Sequence, residues 1–564
     1  MNITYAENRD AEHLRLLKPA ITNFINRVQN PLNTTSTCPR QTVFFFPGGM
    51  ASGLLRATQP FQEGLTVPKV FTYEPEPVWL KLGCFTLGQA RDLQMQRDAA
   101  GTFRDKADRI IVANGLVNLV GCTPYDGFLA WCANNNLDVF VFDWDWRRRL
   151  EETVTFFVVK FLPCFRTLVM NAGLPDPLAT FSLIGHSFGG MIANLVLRRN
   201  ASILTSLARV ITVATPFYGY TEQVHRWFEG EPLLNGLFGS NTYKQEMMNM
   251  IASLPAPYTL HFLDEATYAE SATFATLTGL APAFPLPAYP SIDKQNAALR
   301  ADPYNPRTNG PLVRYPVLTG FDLAELDYAR LQFQQLASPM APTLSQKFYN
   351  IRGVRTQLDQ ATPISDTQGS VTWDWISTSF NATNTTPIDN SGQVPGDDTQ
   401  PAWSTHLATN DPARCITVRA SNVRHMFLMN HSKTLAELES ILCAPGAAMS
   451  PPVTNQPDPA SDEDYIAFMR WLYTQRTRKK WPRLDDPEIF SVVPAEFRKK
   501  LPAIAARIMM DIMKRPAPRA LSEPADRGTG PRPKRPKPRR PKKPAAKPTR
   551  RKPASRRQRP RRRR

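Results

Sequence analysis

Six short runs of apolar, β-branched and aromatic residues recur along the chain, and each of them ends in turn-forming residues. Such runs are typical of buried strands in a parallel sheet. The runs are TVFFFPGG from Thr42, LDVFVFDWDW from Leu137, FSLIGHS from Phe181, ARVITVATPF from Ala208, KFYNIRG from Lys347 and CITVRAS from Cys415.

Helical patterns of apolar residues lie between some of these runs. MIANLVLRRN follows the third run and KTLAELESIL follows the last. This alternation of strands and helices predicts an α/β fold with a mainly parallel sheet, and we assign residues 1–450 to it. YIAFMRWLYTQ and FRKKLPAIAARIMMDIM predict closing helices in a C-terminal helical segment, residues 451–514.

Two segments interrupt the alternation. Residues from about 219 to 345 are rich in Pro, Met and aromatic side chains, and an insertion of this length is usually functional. We interpret it as a lid or cap insertion, with a surface excursion over one sheet edge as the alternative. Residues 361–395 are interpreted as a polar loop.

The formal net charge of +19 is concentrated at one end of the chain. From Lys514 to Arg564, 23 Lys and Arg stand against two acidic residues, so this segment carries +21 and residues 1–513 sum to −2. Residues 515–564 are mainly Pro, Lys, Arg and Ala and cannot bury enough apolar surface to fold, so we predict a disordered basic tail.

The basic tail has no aromatic residues to stack on bases, so it would recognise charge rather than sequence. Nucleic acid is one partner that suits it, through counterion release. An anionic membrane surface is another, through phospholipid headgroups. A localisation signal or a solubilising role are further alternatives.

The N-terminal segment carries charges where a secretory signal needs an apolar core. The longest apolar stretches, such as TFFVVKFLPCF, are interrupted by Lys160 and are too short to span a bilayer. We therefore expect a cytoplasmic or membrane-associated protein. The seven Cys include no CxxC pair, so no metal site and no cofactor is predicted. Reduced thiols are the simpler interpretation, and one or two disulfides are the alternative.

Gly185-His186-Ser187-Phe188-Gly189 matches the pattern G-x-S-x-G. An apolar strand precedes it and an amphipathic helix follows it, and a nucleophile elbow requires this strand–turn–helix. The N-terminus of the helix would help to stabilise negative charge. The alternatives are a glycine-rich turn with an incidental serine and a phosphate-binding loop, although no Lys follows the glycines. Ser187 is the candidate nucleophile.

A serine hydroxyl needs a base at neutral pH, and in α/β-hydrolases the chain order is Ser, then acid, then His. His425 lies five residues past Ala420, on the loop after the last predicted strand, where the base normally sits. His431, at the start of the following helix, is the alternative. His406 is too close to the acid candidates for a helix and strand to intervene.

Paired carboxylates in the turn VPGDDTQ, Asp397 and Asp398, are the candidates for the acid that orients the base. Spacing alone does not separate them. Asp366, Asp374 and Asp389 are less well placed.

An oxyanion hole needs two backbone N–H groups, and Phe188, directly after the nucleophile, is the first candidate. The loop PGGM after the first predicted strand supplies the second, the N–H of Met50. An ordinary glycine turn is the alternative for this loop.

These segments resemble the lecithin:cholesterol acyltransferase family, with its phospholipase and diacylglycerol acyltransferase relatives. The resemblance extends over most of residues 40–445 and is carried by several motifs in the same order. They are VFFFPGGMASGLL, VWLKL, FDWDWR, LIGHSFGG, VATPFYG, FYNIRGV, GDDT and RHMFLMNHSKTLAELESIL. Carried over by position, the family pattern favours Asp397, the first acid after the glycine, and His425.

The resemblance implies an α/β-hydrolase fold and a lipid ester substrate. It implies two-step acyl transfer, in which Ser187 is acylated and the acyl group then passes to water or to another alcohol. A lipid acyl hydrolase and an O-acyltransferase are both open at this point. The alternative function is a catalytically inactive hydrolase fold that binds nucleic acid through residues 515–564.

Overall fold

The structure is a computed structural model, and its description covers most of the chain up to Met513. The described residues are 2–30, 36, 38–74, 77–79, 89–99, 101–117, 123–219, 246, 249–260, 322–357, 362–368, 393–402, 404–407, 410–443, 460–474 and 492–513.

All six predicted strands are present, together with six shorter or paired strands that the pattern did not predict. In chain order the strands are β1 (Gln41–Phe46), β2 (Ser52–Pro60), β3 (Met95–Arg97), β4 (Phe103–Asp105), β5 (Arg109–Leu116), β6 (Leu137–Val141), β7 (Phe181–His186), β8 (Leu207–Val213), β9 (Phe348–Arg355), β10 (Ser365–Gln368), β11 (Gln393–Pro395) and β12 (Cys415–Ala420).

The helices include those predicted after the third and last runs and in the C-terminal segment. In chain order they are α1 (Tyr5–Gln29), α2 (Gln89–Leu93), α3 (Asp126–Asn134), α4 (Leu150–Asn171), α5 (Phe188–Arg199), α6 (Pro255–Tyr258), α7 (Leu323–Ala337), α8 (Pro342–Ser345), α9 (Ser432–Leu442), α10 (Asp462–Thr474), α11 (Ala495–Arg498) and α12 (Leu501–Met513).

The six predicted strands form one sheet in the order β12-β9-β8-β7-β1-β6, and every neighbouring pair in it is parallel. The prediction of an α/β fold with a mainly parallel sheet is therefore confirmed. Because parallel strands share a direction, their carboxyl ends meet at one edge, where ligands of open α/β sheets bind. The other described strands form two-stranded antiparallel pairs, β2 with β5, β3 with β4 and β10 with β11.

The sheet is buried on both faces, as the near-continuous apolar runs require. Side chains of β1 alternate between two cores: Phe44 and Phe46 face one, and Val43 and Phe45 face the other. Helices α1, α4 and α5 contribute to the first core, whereas α3 and α9 contribute to the second. This three-layer packing fixes the strand ends that carry the candidate site.

Helix α4 is longer than the sequence pattern indicated. It is the helix in the described part of the chain that has the length and apolar composition to cross a membrane. Lys160, at which the sequence pattern placed a break, lies inside this helix without interrupting it. Three of its rings, those of Phe157, Phe161 and Phe165, pack against Phe44 of β1 with centroids 5.5, 5.9 and 5.1 Å apart. A helix in the core of a soluble protein can have the same length and apolar composition as a membrane-spanning helix.

A disulfide joins Cys38, before β1, to Cys443, directly after α9, across 405 residues of sequence. The interpretation of reduced thiols is wrong for this pair. Cys132, Cys164 and Cys415 are free thiols. The disulfide links the first strand of the sheet to the helix that follows the candidate base.

Parts of the predicted organisation fall on residues that the structure leaves undescribed. Most of the lid or cap insertion lies outside the described residues, as do the whole basic tail and most of the polar loop at 361–395. The two ends of that loop carry β10 and β11, which pair with each other.

Candidate active site

Ser187 sits on a tight turn between β7 and α5. Its backbone has φ 53° and ψ −125°, a left-handed conformation that is unfavourable for a residue with a side chain. A Cβ on Gly185 would lie 2.5 Å from the Gly189 carbonyl oxygen, and a Cβ on Gly189 would lie 2.2 Å from the Phe46 carbonyl oxygen. The two glycines therefore allow the strand, the turn and the neighbouring loop to approach as closely as they do.

His425 lies directly against the serine. Its Nε2 is 2.9 Å from Ser187 Oγ, and its Nδ1 is 2.8 Å from Asp397 Oδ2. The carboxylate can only accept, so Nδ1 carries the proton and Nε2 presents its lone pair to the serine hydroxyl. The side chains of His425 and Asp397 are 0% and 1% exposed. The three candidates for nucleophile, base and acid thus form one buried hydrogen-bonded chain.

The two carboxylates that spacing did not separate have different partners. Asp397 Oδ1 accepts the backbone N–H groups of Gln400 at 2.7 Å and Thr399 at 3.2 Å, which hold its other oxygen towards His425. Asp398 has φ 74°, and its Oδ2 is 2.8 Å from Arg424 Nη1. The turn therefore directs Asp397 at the base and Asp398 at an arginine.

The loop after β1 lies over the serine turn, and a Cβ on Gly48 would be 3.3 Å from Ser187 Cβ. Met50 has φ 66°, and the Ala51 N–H donates to the Gly48 carbonyl at 3.2 Å. Across the described residues, neither the Met50 N–H nor the Phe188 N–H has a hydrogen-bond acceptor. Both N–H groups therefore lack an acceptor in the described part of the chain, one on the serine turn and one on the loop above it.

Three side chains that the sequence did not single out for this role hold the loop. The indole N–H of Trp144 donates to the Pro47 carbonyl at 2.9 Å, and that of Trp79 donates to the Met50 carbonyl at 2.7 Å. The hydroxyl of Tyr125 accepts the Gly48 N–H at 2.8 Å. Trp79 is itself buried in the core. The motif FDWDWR, at the end of the second predicted strand, was the signal available in the sequence for Trp144, whereas Tyr125 had none.

The remaining histidines near the site have other partners. His431 caps α9 by accepting the Lys433 N–H and also contacts Asn422. His406 is buried, and its burial together with the nearby charge of Arg352 lowers its pKa to about 2. Burial also lowers the pKa of His186 well below its usual range, with a further contribution from His425. Both buried histidines are neutral near pH 7.

The part of the chain that the structure describes contains no group of three His, Cys, Asp or Glu side chains that could hold a metal ion. A serine hydrogen-bonded to a buried His–Asp pair can form a covalent bond to a carbonyl carbon, and N–H groups without acceptors can stabilise an oxyanion that results.

No family model matches the chain, and no curated protein matches it. Solved structures do match, among them the crystal structure of the Tle4–Tli4 complex. That match covers 73% of this chain and 99% of the matched chain, with 11% identity and a TM-score of 0.35. At this TM-score the likeness carries no argument about function.

Proposed function

We propose that the protein is a serine-dependent lipid acyl hydrolase or acyltransferase with an α/β-hydrolase fold. The observation that carries the proposal is the hydrogen-bonded chain from Ser187 Oγ through His425 to Asp397, with distances of 2.9 and 2.8 Å. Its order along the chain, Ser, acid, His, is that of α/β-hydrolases. The strained turn at Ser187 supports the same assignment.

In the first half-reaction, Ser187 Oγ attacks the ester carbonyl carbon while His425 Nε2 takes the hydroxyl proton. Asp397 stabilises the imidazolium that forms, and the N–H groups of Met50 and Phe188 bind the oxyanion. When the tetrahedral intermediate collapses, His425 gives its proton to the leaving alkoxide and the acyl group stays on Ser187.

In the second half-reaction, a water or an alcohol attacks the acyl-enzyme, and His425 again acts first as base and then as acid. A hydrolase and an acyltransferase differ only in this acceptor. We propose a lipid ester as acyl donor because the ordered motifs between residues 40 and 445 resemble the lecithin:cholesterol acyltransferase family. Peripheral contact with a membrane surface would bring the donor to the site.

The experiment that tests the proposal is labelling with a fluorophosphonate, followed by a lipid-product profile. Wild-type protein is expected to be labelled and Ser187→Ala is not. Ser182→Ala is the matched control, because Ser182 is also a buried serine but lies within β7 and bonds to Gln41. Absence of Ser187-dependent labelling in folded protein would contradict the proposal and favour a binding protein that acts through residues 515–564.

Products identify the acceptor. Phospholipid vesicles are incubated with the protein, with and without a long-chain alcohol. Free fatty acid alone identifies a hydrolase, and a new ester of the added alcohol identifies an acyltransferase.

A further inference from the structure

A chain of hydrogen bonds runs beneath the serine turn, separate from the Ser187–His425–Asp397 chain. The Gly48 N–H donates to Tyr125 Oη at 2.8 Å, Tyr125 Oη lies 3.0 Å from His186 Nδ1, and His186 Nε2 lies 3.0 Å from the carbonyl oxygen of His425. Tyr125, His186 and His425 are all almost completely buried. The chain therefore joins the loop that carries one oxyanion donor to the residue that carries the base.

The donor and the acceptor of each of these hydrogen bonds are fixed by the two end groups, the Gly48 N–H and the His425 carbonyl. The His425 carbonyl can only accept, so His186 Nε2 carries the proton. Because burial keeps His186 neutral, its Nδ1 has no proton and accepts the hydroxyl of Tyr125. The Tyr125 oxygen then has a lone pair for the Gly48 N–H. One tautomer of His186 and one hydroxyl orientation satisfy all three bonds.

We propose that Tyr125 and His186 are positioning residues that hold the oxyanion loop and the base at a fixed separation. This inference rests on the proposed acyl-transfer function. Neither side chain bonds to Ser187 Oγ, so neither exchanges a proton with substrate. Both act on backbone groups instead: Tyr125 on the Gly48 peptide, two residues before Met50, and His186 on the carbonyl of His425.

The hydrogen-bonded chain can act in this way because the loop that carries Gly48 and the segment that carries His425 lie close together. A Cβ on Gly48 would lie 3.2 Å from His186 Nδ1 and 3.3 Å from Tyr125 Oη, so the loop rests directly on both side chains. The rings of His186 and His425 have centroids 5.0 Å apart. A displacement of about 1 Å between reacting groups costs roughly 100-fold in rate. Loss of these hydrogen bonds is therefore expected to lower the rate of the chemical step and to leave the affinity for substrate nearly unchanged.

The test uses the full chain and hydrolysis of p-nitrophenyl butyrate, with Tyr125→Phe and His186→Gln as single variants and as a pair. Each single variant is expected to lower kcat by about 10- to 100-fold with little change in KM. Both changes break the Tyr125–His186 bond, so the double variant is expected to be little slower than Tyr125→Phe alone.

Tyr5→Phe is the matched control. The Tyr5 hydroxyl is also buried and bonds to Asp105 and to the Arg109 carbonyl, away from the site residues. It is expected to lower the unfolding midpoint while kcat stays at the wild-type value. If Tyr125→Phe does not fold, His186→Gln tests the same bond.

Wild-type kcat in Tyr125→Phe or His186→Gln, or simple additivity in the double variant, would overturn the positioning role. That result would leave Ser187-dependent labelling of the wild type intact. Failure of the acyl-transfer proposal is seen separately, as the absence of that labelling in the wild type.

Discussion

His425 and Asp397 are joined at two points, through their side chains and through their backbones. The imidazole Nδ1–H donates to Asp397 Oδ2 at 2.8 Å, and the backbone N–H of His425 donates to the Asp397 carbonyl at 2.8 Å. The acid therefore fixes both the tautomer of the base and the course of the loop that carries it. Asp398 has neither of these bonds at comparable length.

Asp397→Asn is expected to lower kcat for ester hydrolysis by about 10³- to 10⁴-fold, because the amide no longer favours the reactive tautomer of the base. Asp398→Asn is the control. It weakens the ion pair with Arg424, whose Nη1 lies 2.8 Å from Asp398 Oδ2, and it leaves the bonds between Asp397 and His425 in place. We expect at most about a fivefold loss of kcat there. A larger loss for Asp398→Asn than for Asp397→Asn would reverse the assignment.

Gly189→Ala is expected to destabilise the fold severely, because the new methyl group would meet the backbone oxygens of Phe46 and Pro47 at 2.2 and 2.4 Å. We expect a loss of about 3 kcal/mol or more in the free energy of unfolding, measured by urea denaturation. Gly64→Ala is the comparison, since Gly64 has φ +80° and open space around it. Its expected cost is about 1–2 kcal/mol from backbone strain alone.

Stability is expected to fall as the pH decreases below about 6.5, in part through His406. The pKa of this buried side chain is lowered to about 2, so between these values the unfolded chain binds a proton that the folded chain does not. The free energy of unfolding then decreases by about 1.4 kcal/mol per pH unit for this one group.

His406→Gln removes this dependence. Urea midpoints of the wild type and the variant should be compared at pH 7 and pH 5. The wild type is expected to lose about 2 kcal/mol more than the variant over this interval. An equal loss in both proteins would show that His406 does not contribute.

Reduction of the Cys38–Cys443 disulfide is expected to lower the free energy of unfolding by about 2–5 kcal/mol. Thermal unfolding with and without a phosphine reductant measures the effect. The variant Cys38→Ser with Cys443→Ser is expected to be insensitive to the reductant, and Cys164→Ser, which removes a free thiol, is expected to behave as the wild type. Reductant sensitivity in the double variant would exclude this disulfide as its source.

The basic tail stays a prediction that a binding experiment addresses. The logarithm of the association constant of the full chain for duplex DNA should fall linearly with the logarithm of the salt concentration. The expected slope is about −0.9 for each phosphate contacted. Truncation before residue 515 is expected to abolish this binding. Anionic vesicles, with zwitterionic vesicles as control, test the membrane alternative, and unchanged binding of both after truncation would show that the tail is not a binding arm.

The strands of the sheet could be predicted from the sequence because each is a short, nearly uninterrupted apolar run. The same is true of the order Ser187, Asp397, His425, since the chain order of the fold constrains which histidine follows the last strand. These predictions depend on local composition and on connectivity.

The choice of acid, the contacts that hold the loop after β1 and the disulfide depend on three-dimensional relationships that local sequence patterns do not encode. Asp397 and Asp398 are adjacent and chemically identical, and only the backbone conformation of their turn distinguishes them. Tyr125 reaches Gly48 from 77 positions along the chain, and Cys38 reaches Cys443 from 405. No spacing rule predicts either pair.

Synthesis of the chain proceeds from Cys38 towards Cys443, at about 5–20 residues per second. Their separation of 405 residues therefore corresponds to roughly 20–80 s during which Cys38 has no intramolecular partner in this bond. His425 is made before Cys443, so the bond closes only on polypeptides that already contain Ser187, Asp397 and His425. A chain that terminates before Cys443 keeps a free thiol at Cys38, which distinguishes it chemically from a finished one.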